Sequence, residues 1–384
     1  MIKPALSWVL LSLLLPWASM AQQRCAVQFP AGAAPFESNN LPRAAILKIP
    51  VAVHIVWHTP AENISTAQVN SQITALNEDF RALNAQIPDI HPLFDDLSVD
   101  TEIEFCLAAI TRTPTEAAGI ATAFEGGMRR VCYTALGGRD GFDPEHYLNI
   151  WVAGRSDGAL GYATFPGASA TAEDGVFIRP DAFGTTGTVS PPFHLGRTCT
   201  HEVGHYLNLQ HLWGPFEDNF NCNQDDGVED TPLQAESYRG ACPTLPPLSC
   251  GSPDMYMNFM NFTDDACMAL FTPGQKQRML AAIQNFRPGL LTASCEPVST
   301  HGPARGTPEA VVLQNPVSSQ LQARLPGNEE ARLAIFDLAG RLVLQTTANG
   351  PLVTVDCSWI NPGNYYIKIW HGNKIHFKKL IIAR

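Results

Sequence analysis

The segment His201-Glu-Val-Gly-His205-Tyr-Leu-Asn-Leu-Gln-His211 gathers three imidazoles and a carboxylate into one short stretch. On a helix, positions i and i+4 share a face, so His201 and His205 can offer two nitrogens to one cation. Glu202 stands beside them, where its carboxylate reaches a water on that cation without being a ligand. His211 can join only if the helix stops. A continued helix would carry it about 9 Å further along the axis and roughly 240° round. The chain must therefore turn just after Leu207. Asn208 sits at that turn, and after glycine Asn is the residue that best tolerates the left-handed conformation required. Three neutral imidazoles with an open fourth position describe a catalytic zinc site rather than a closed structural one. The plainer alternative, surface histidines on an amphipathic helix, does not account for this spacing.

Such a helix needs a sheet to hold it. Residues 49–57 form a β-branched apolar run typical of an interior strand. Ser65-x-x-Gln68 reads as a capping box, and Val69, Ile73, Leu76 and Phe80 follow at helical spacing. Further strands are expected at 102–108, 147–152 and 175–179. Strand, helix, strand in this order predicts an α+β arrangement, a mixed sheet with helices packed on it.

His201 to His211 matches the long zinc signature of the metzincin metallopeptidases. Asn258-Phe-Met260-Asn-Phe262-Thr-Asp-Asp-Ala-Cys267-Met-Ala-Leu-Phe271-Thr-Pro-Gly-Gln275 resembles the methionine turn of their pappalysin (ulilysin-like) family. Leu160-Gly-Tyr-Ala-Thr-Phe165, Gly196-Arg-Thr198 and Asp225-Asp-Gly-Val-Glu-Asp-Thr-Pro232 agree with it too. The resemblance implies a catalytic domain at 47–296 with a mixed twisted sheet and a zinc-site helix. It also implies that Met260 forms an apolar floor beneath the ligands. Two positions depart from the commoner pattern. Asn208 replaces Gly, which the turn tolerates. Phe262 stands where relatives often carry Tyr, so a hydroxyl that would steady the oxyanion is missing.

Between Glu217 and Asp230 lie six acids and no base, which repel one another unless a hard cation joins them. A solvated acidic loop is the alternative. Similarity to pappalysins favours calcium, with Asp226, Asp230 and Thr231 as its ligands. Cys222, Cys242, Cys250 and Cys267 allow three pairings from sequence alone. The resemblance favours Cys222–Cys250 and Cys242–Cys267; Cys106, Cys132, Cys199 and Cys295 stay unassigned. Cys25 follows Arg24 in a polar stretch without core character. Its thiolate can fill the open zinc position, and relatives carry an Arg-Cys-Gly-Thr type latency switch in their pro-segment.

The ends have their own signatures. Lys3, the apolar Trp8 to Leu15 and the small residues up to Ala21 read as a signal peptide at 1–21; a pro-segment at 22–46 follows. The apolar run is short and broken by Pro16, which disfavours a membrane anchor. Residues 47–296 hold 13 bases and 30 acids, −17, whereas 297–384 hold nine bases and five acids, +4. The change falls at a Pro/Gly/Ser/Thr-rich linker, 297–308. Short strands at 310–313, 333–336, 342–345, 352–355, 365–370 and 377–382 predict a small β-sandwich at 309–384. Gln314-Asn-Pro316, Ile335-Phe-Asp-Leu-Ala-Gly-Arg341, Pro362-Gly-Asn-Tyr-Tyr-Ile-Lys368 and Lys378-Lys-Leu-Ile-Ile382 resemble the C-terminal sorting domain of the type IX secretion system of Bacteroidetes-type bacteria. That resemblance implies passage across the outer membrane to the outside or the cell surface.

The expected function is a secreted, monomeric zinc endopeptidase made as a latent zymogen. Protein or peptide substrates would add to an edge strand near Leu160 to Thr164. A formal charge of −11 excludes nucleic acid as a partner. The other class is a surface adhesion protein with a catalytically weak or inactive metzincin fold. It would be favoured by loss of a ligand or of Glu202, and none is lost.

Overall fold

The computed structural model describes residues 24–25, 46–169, 171–215, 221–292, 295, 311–312, 315–325, 330–337, 341–371 and 374–383. The expected signal peptide, most of the expected pro-segment, the expected linker, and Glu217 and Asp218 of the acidic loop lie outside the described residues.

The catalytic part contains β1 (Leu47–Trp57), α1 (Thr66–Phe80), β2 (Ile103–Pro114), β3 (Leu148–Ala153), β4 (Gly161–Ala163), β5 (Val176–Ile178), α2 (Arg197–Tyr206), β6 (Arg239–Gly240), β7 (Phe262–Thr263) and α3 (Pro273–Phe286). The main sheet has the order β2-β1-β3-β5-β4. Its ladders are parallel except for β4, which runs antiparallel to β5 at the edge. β1 is interior and buried on both faces, as its mostly apolar run leads one to expect, with His54 hydrogen-bonded to Thr111 and Asn149. One face packs Val51, Val53 and Ile55 against Val69, Leu76 and Phe80 of α1 and Val203 of α2. The other face is covered by Ile120, Val131 and Cys132 packed on Val56, Trp151 and Phe177.

Ser65 caps α1 by accepting the Gln68 backbone N–H at 3.1 Å, but the reciprocal half of the expected box is not made. Gln68 instead donates to the carbonyls of Pro180 and Phe183, which ties α1 to the loop before α2. At α3 the full box forms between Thr272 and Gln275, with Pro273 in the first turn. A third disulfide, Cys106–Cys295, joins β2 to the chain just after α3. Cys132, Cys199 and Cys357 are buried thiols outside any disulfide.

In the C-terminal part the ladders between strands are antiparallel. It comprises β8 (Val311–Val312), β9 (Gln320–Arg324), β10 (Glu330–Phe336), β11 (Leu342–Asn349), β12 (Leu352–Asp356), β13 (Gly363–His371) and β14 (Lys374–Ile382). Two sheets, ordered β8-β9-β12 and β11-β10-β13-β14, enclose an aliphatic core of Leu321, Val353, Leu333, Ile335, Ile367 and Leu380. β9 was not foreseen, although Leu321 and Ala323 point inward between exposed Gln320, Gln322 and Arg324 in strand alternation. Among the described residues, no helix is long and apolar enough to cross a membrane.

Candidate active site

Every residue of α2 is buried. An ion pair from Arg197 to Asp79 and a 2.5 Å hydrogen bond from Thr200 Oγ1 to the same carboxylate clamp the helix onto α1. The helix then stops as the motif demands. Leu209 N–H returns to the Gly204 carbonyl at 2.9 Å, and Asn208 takes φ 74°, the left-handed turn expected of it. The turn carries His211 back to the helix face.

The three Nε2 atoms lie 3.0 Å (His201–His205), 3.1 Å (His205–His211) and 3.2 Å (His201–His211) apart. Nδ1–H of His201 donates to the Phe259 carbonyl at 2.7 Å, and that of His205 to the Leu209 carbonyl at 2.8 Å. Because a carbonyl only accepts, both Nδ1 atoms carry the proton and both Nε2 atoms present lone pairs. Burial keeps the imidazoles uncharged: it lowers His205 to about 4 and pushes His201 and His211 well below the usual histidine value. Two lone pairs 3.0 Å apart repel each other unless a cation lies between them. This is a preformed cation site.

The packing around it is aromatic. Phe165 lies 5.4 Å from His205, Phe262 4.8 Å from His211, and Trp213 stacks on His211 at 4.5 Å. Met260 is fully buried under the helix, and a Cβ at Gly204 would come within 2.5 Å of its sulfur. The methionine loop also supplies the Phe259 carbonyl that orients His201. Its conformation rests on the paired amides of Asn258 and Gln275.

Glu202 is buried beneath β4. A Cβ at Gly161 would sit 2.7 Å from its Cγ and Oε1, so only glycine leaves room for this side chain under the edge strand. Cys25 Sγ approaches the same carboxylate at 3.5 Å. The thiol and the three histidines each offer one ligand atom, all within 4.8 Å of one another. Arg24 lies in the adjoining pocket, 2.8 Å from Asp265 Oδ1 and 2.6 Å from the Thr263 carbonyl, with its guanidinium over Phe193. Its own carbonyl accepts the Gly161 N–H at 3.1 Å, which docks the segment on β4. Asp265 also accepts the Leu195 N–H at 2.8 Å.

The acidic loop is arranged differently. Asp226 accepts from Thr231 Oγ1 and Val228 N–H at 2.7 and 3.0 Å, and burial raises it to about 7. Asp230 turns away to the α3 N-terminus, where it accepts from Thr272 Oγ1 and Gly274 N–H. The only described group of three or more His, Cys, Asp or Glu poised for a metal is therefore the histidine cluster with Cys25. The loop is stapled by Cys222–Cys250 and Cys242–Cys267. Asp265 as pocket floor, the Phe259 carbonyl and Gly161 escaped sequence reasoning, because each acts on a partner remote in the chain.

A family model described as Pregnancy-associated plasma protein-A matches residues 138–284. An extracellular metalloprotease of Arthroderma benhamiae is 30% identical over 260 residues, covering 66% of this chain and 83% of the relative. Mature mirolysin of Tannerella forsythia, solved in complex with a cleaved peptide, is 40% identical at a TM-score of 0.60, covering 65% of this chain and 97% of that one. A promirolysin variant from the same organism is 39% identical at 0.61, covering 66% and 87%. The chain belongs to this pappalysin family. It is thus a zinc metalloprotease with the mixed-sheet metzincin fold. This pappalysin also carries a match to a model described as Secretion system C-terminal sorting domain at 314–383, which makes it a type IX export substrate, secreted or held at the cell surface. The converging imidazoles suit the zinc of the family, since nitrogens about 2.0–2.1 Å from a tetrahedral ion stand roughly 3.3 Å apart.

Proposed function

We propose that His201, His205 and His211 hold the zinc of a secreted endopeptidase and that Glu202 is its general base. The observation that carries this reading is the convergence of three Nε2 atoms within 3.2 Å, with the Glu202 carboxylate packed beside them under β4. Bound zinc would polarise the scissile carbonyl and lower the pKa of water at the open position. Glu202 takes the proton from the attacking water and returns it to the leaving amine. Gly161 and its strand receive the substrate backbone by edge hydrogen bonding. The Asp265 pocket, which takes a guanidinium in this structure, is proposed to accept a basic substrate side chain.

The chain is further proposed to be made latent. Cys25 Sγ lies among the histidine nitrogens and against Glu202, while Arg24 fills the pocket, so the pro-segment occupies both the metal's open position and a side-chain subsite. That the solved relatives include both a promirolysin and a mature mirolysin supports such a two-stage life. A structural calcium on the acidic loop is a lesser proposal, supported by a buried Asp226 Oδ2 with no hydrogen-bond partner among the described residues. The decisive experiment is Glu202→Gln in zinc-loaded protein freed of its pro-segment. Casein cleavage should fall by about 10²–10⁴-fold with zinc content unchanged; unaltered cleavage would refute the base.

A further inference from the structure

Arg239 on β6 pairs in parallel register with Phe262 on β7. Its guanidinium carbon stands 4.6 Å from the Phe262 ring centroid, and that ring in turn lies 4.8 Å from His211 and 5.5 Å from His201. Phe262 is buried, whereas Arg239 is exposed, so the cation rests on the solvent side of an aromatic wall of the site. Two cationic side chains flank the site, Arg24 against Asp265 and Arg239 over Phe262. Arg24 belongs to the pro-segment. Once that segment leaves, Arg239 is the one that stays.

The reaction creates a need for it. As the water oxygen bonds to the carbonyl carbon, the π pair moves onto the carbonyl oxygen and the water's proton passes to Glu202. The pair returns when the C–N bond breaks and the amine takes that proton. Between these events the oxygen bears a full negative charge, and donors aimed at it are commonly the largest single contribution to catalysis. Of the side chains that pack on the site, Phe165, Phe262 and Met260 carry no donor, and Trp213 offers one uncharged indole N–H. We infer that Arg239 is a catalytic residue, its guanidinium reaching past the edge of Phe262 to donate to the substrate's carbonyl oxygen as that charge develops. This rests on the hydrolase reading above. A guanidinium suits the task because it stays charged at any working pH and offers several donors in a plane.

The test uses zinc-loaded protein taken through removal of its pro-segment, comparing Arg239→Gln, Arg239→Lys and Glu202→Gln. Arg239→Gln should lower kcat by at least about tenfold with KM within about twofold. It should weaken an anionic tetrahedral phosphonate peptide by a similar factor and leave the neutral product peptide bound as before. Arg239→Lys should recover part of both losses. An unchanged kcat overturns the inference. So does a rise in KM confined to peptides with acidic side chains, which would make Arg239 a subsite cation instead. If Glu202→Gln cleaves as well as the unaltered protein, the failure lies in the hydrolase reading rather than in Arg239.

Discussion

The two parts of this protein bury different things. The catalytic part hides Arg24, Asp79, Arg197, His201, Glu202, His205, His211 and Asp265 at or near zero exposure. The sandwich core holds aliphatic side chains and a single thiol. A buried polar group costs free energy unless it is hydrogen-bonded or paired. His201, His205, Arg24 and Asp265 meet that demand through backbone groups, which commits those stretches of chain to one conformation. Aliphatic packing makes no such demand, since it specifies volume rather than direction. The catalytic part is thus built around directed polar contacts, and the sandwich around strand ladders closed over an aliphatic core.

Breaking this contrast from the catalytic side should have the largest effect. His211→Ala removes the ligand that only the Asn208 turn delivers, and casein hydrolysis should drop to background with bound zinc, measured by atomic absorption, greatly reduced. Retained zinc and full activity would remove His211 from the site. Gly161→Ala should come next. Its methyl displaces Glu202 rather than the metal, so kcat should fall by roughly 10²-fold while zinc stays bound. From the other side, Ile335→Ala in the sandwich core should destabilise that part by about 2–5 kcal/mol in chemical denaturation and leave the peptidase rate untouched. A parallel loss of rate would show that the two parts do not act separately.

The smallest effect is a pH dependence. His54 and His205 are both lowered to about 4 by burial, against 6.5 for an open histidine. Between these values the unfolded chain binds protons that these folded imidazoles refuse, so their contribution to stability is full above about 6.5 and declines as pH falls toward 4, offset in part by Asp79 and Asp226, which burial raises to about 7. Urea midpoints of metal-free protein should drop over that window for the catalytic transition. The sandwich transition should change less, because its described core contains no histidine.

Much of this was legible in the sequence, for reasons that differ by element. The His201–His211 spacing encodes a helix and its stop, because both follow from local geometry. Strands such as β1 and β3 show as mostly apolar runs, and α1 as a 3.6-residue period. What escaped was non-local. Cys106 and Cys295 are 189 positions apart, and no local pattern pairs them. The same holds for Arg24 and Asp265, and for the Phe259 carbonyl that aims His201. Gln68 misled differently: it sits where a capping box needs it, yet three acceptors across the loop claim its amide.

The Cys106–Cys295 bond also sets how the protein carries mechanical load. Cys295 is the last described residue before Val311, so tension applied to the tail would pass first through that bond into β2. There it meets the parallel ladder that registers β2 along β1 from Leu47–Ile103 to Trp57–Pro114. A tug that would otherwise unwind α3 from its end, one turn at a time, is instead shared by many strand hydrogen bonds at once.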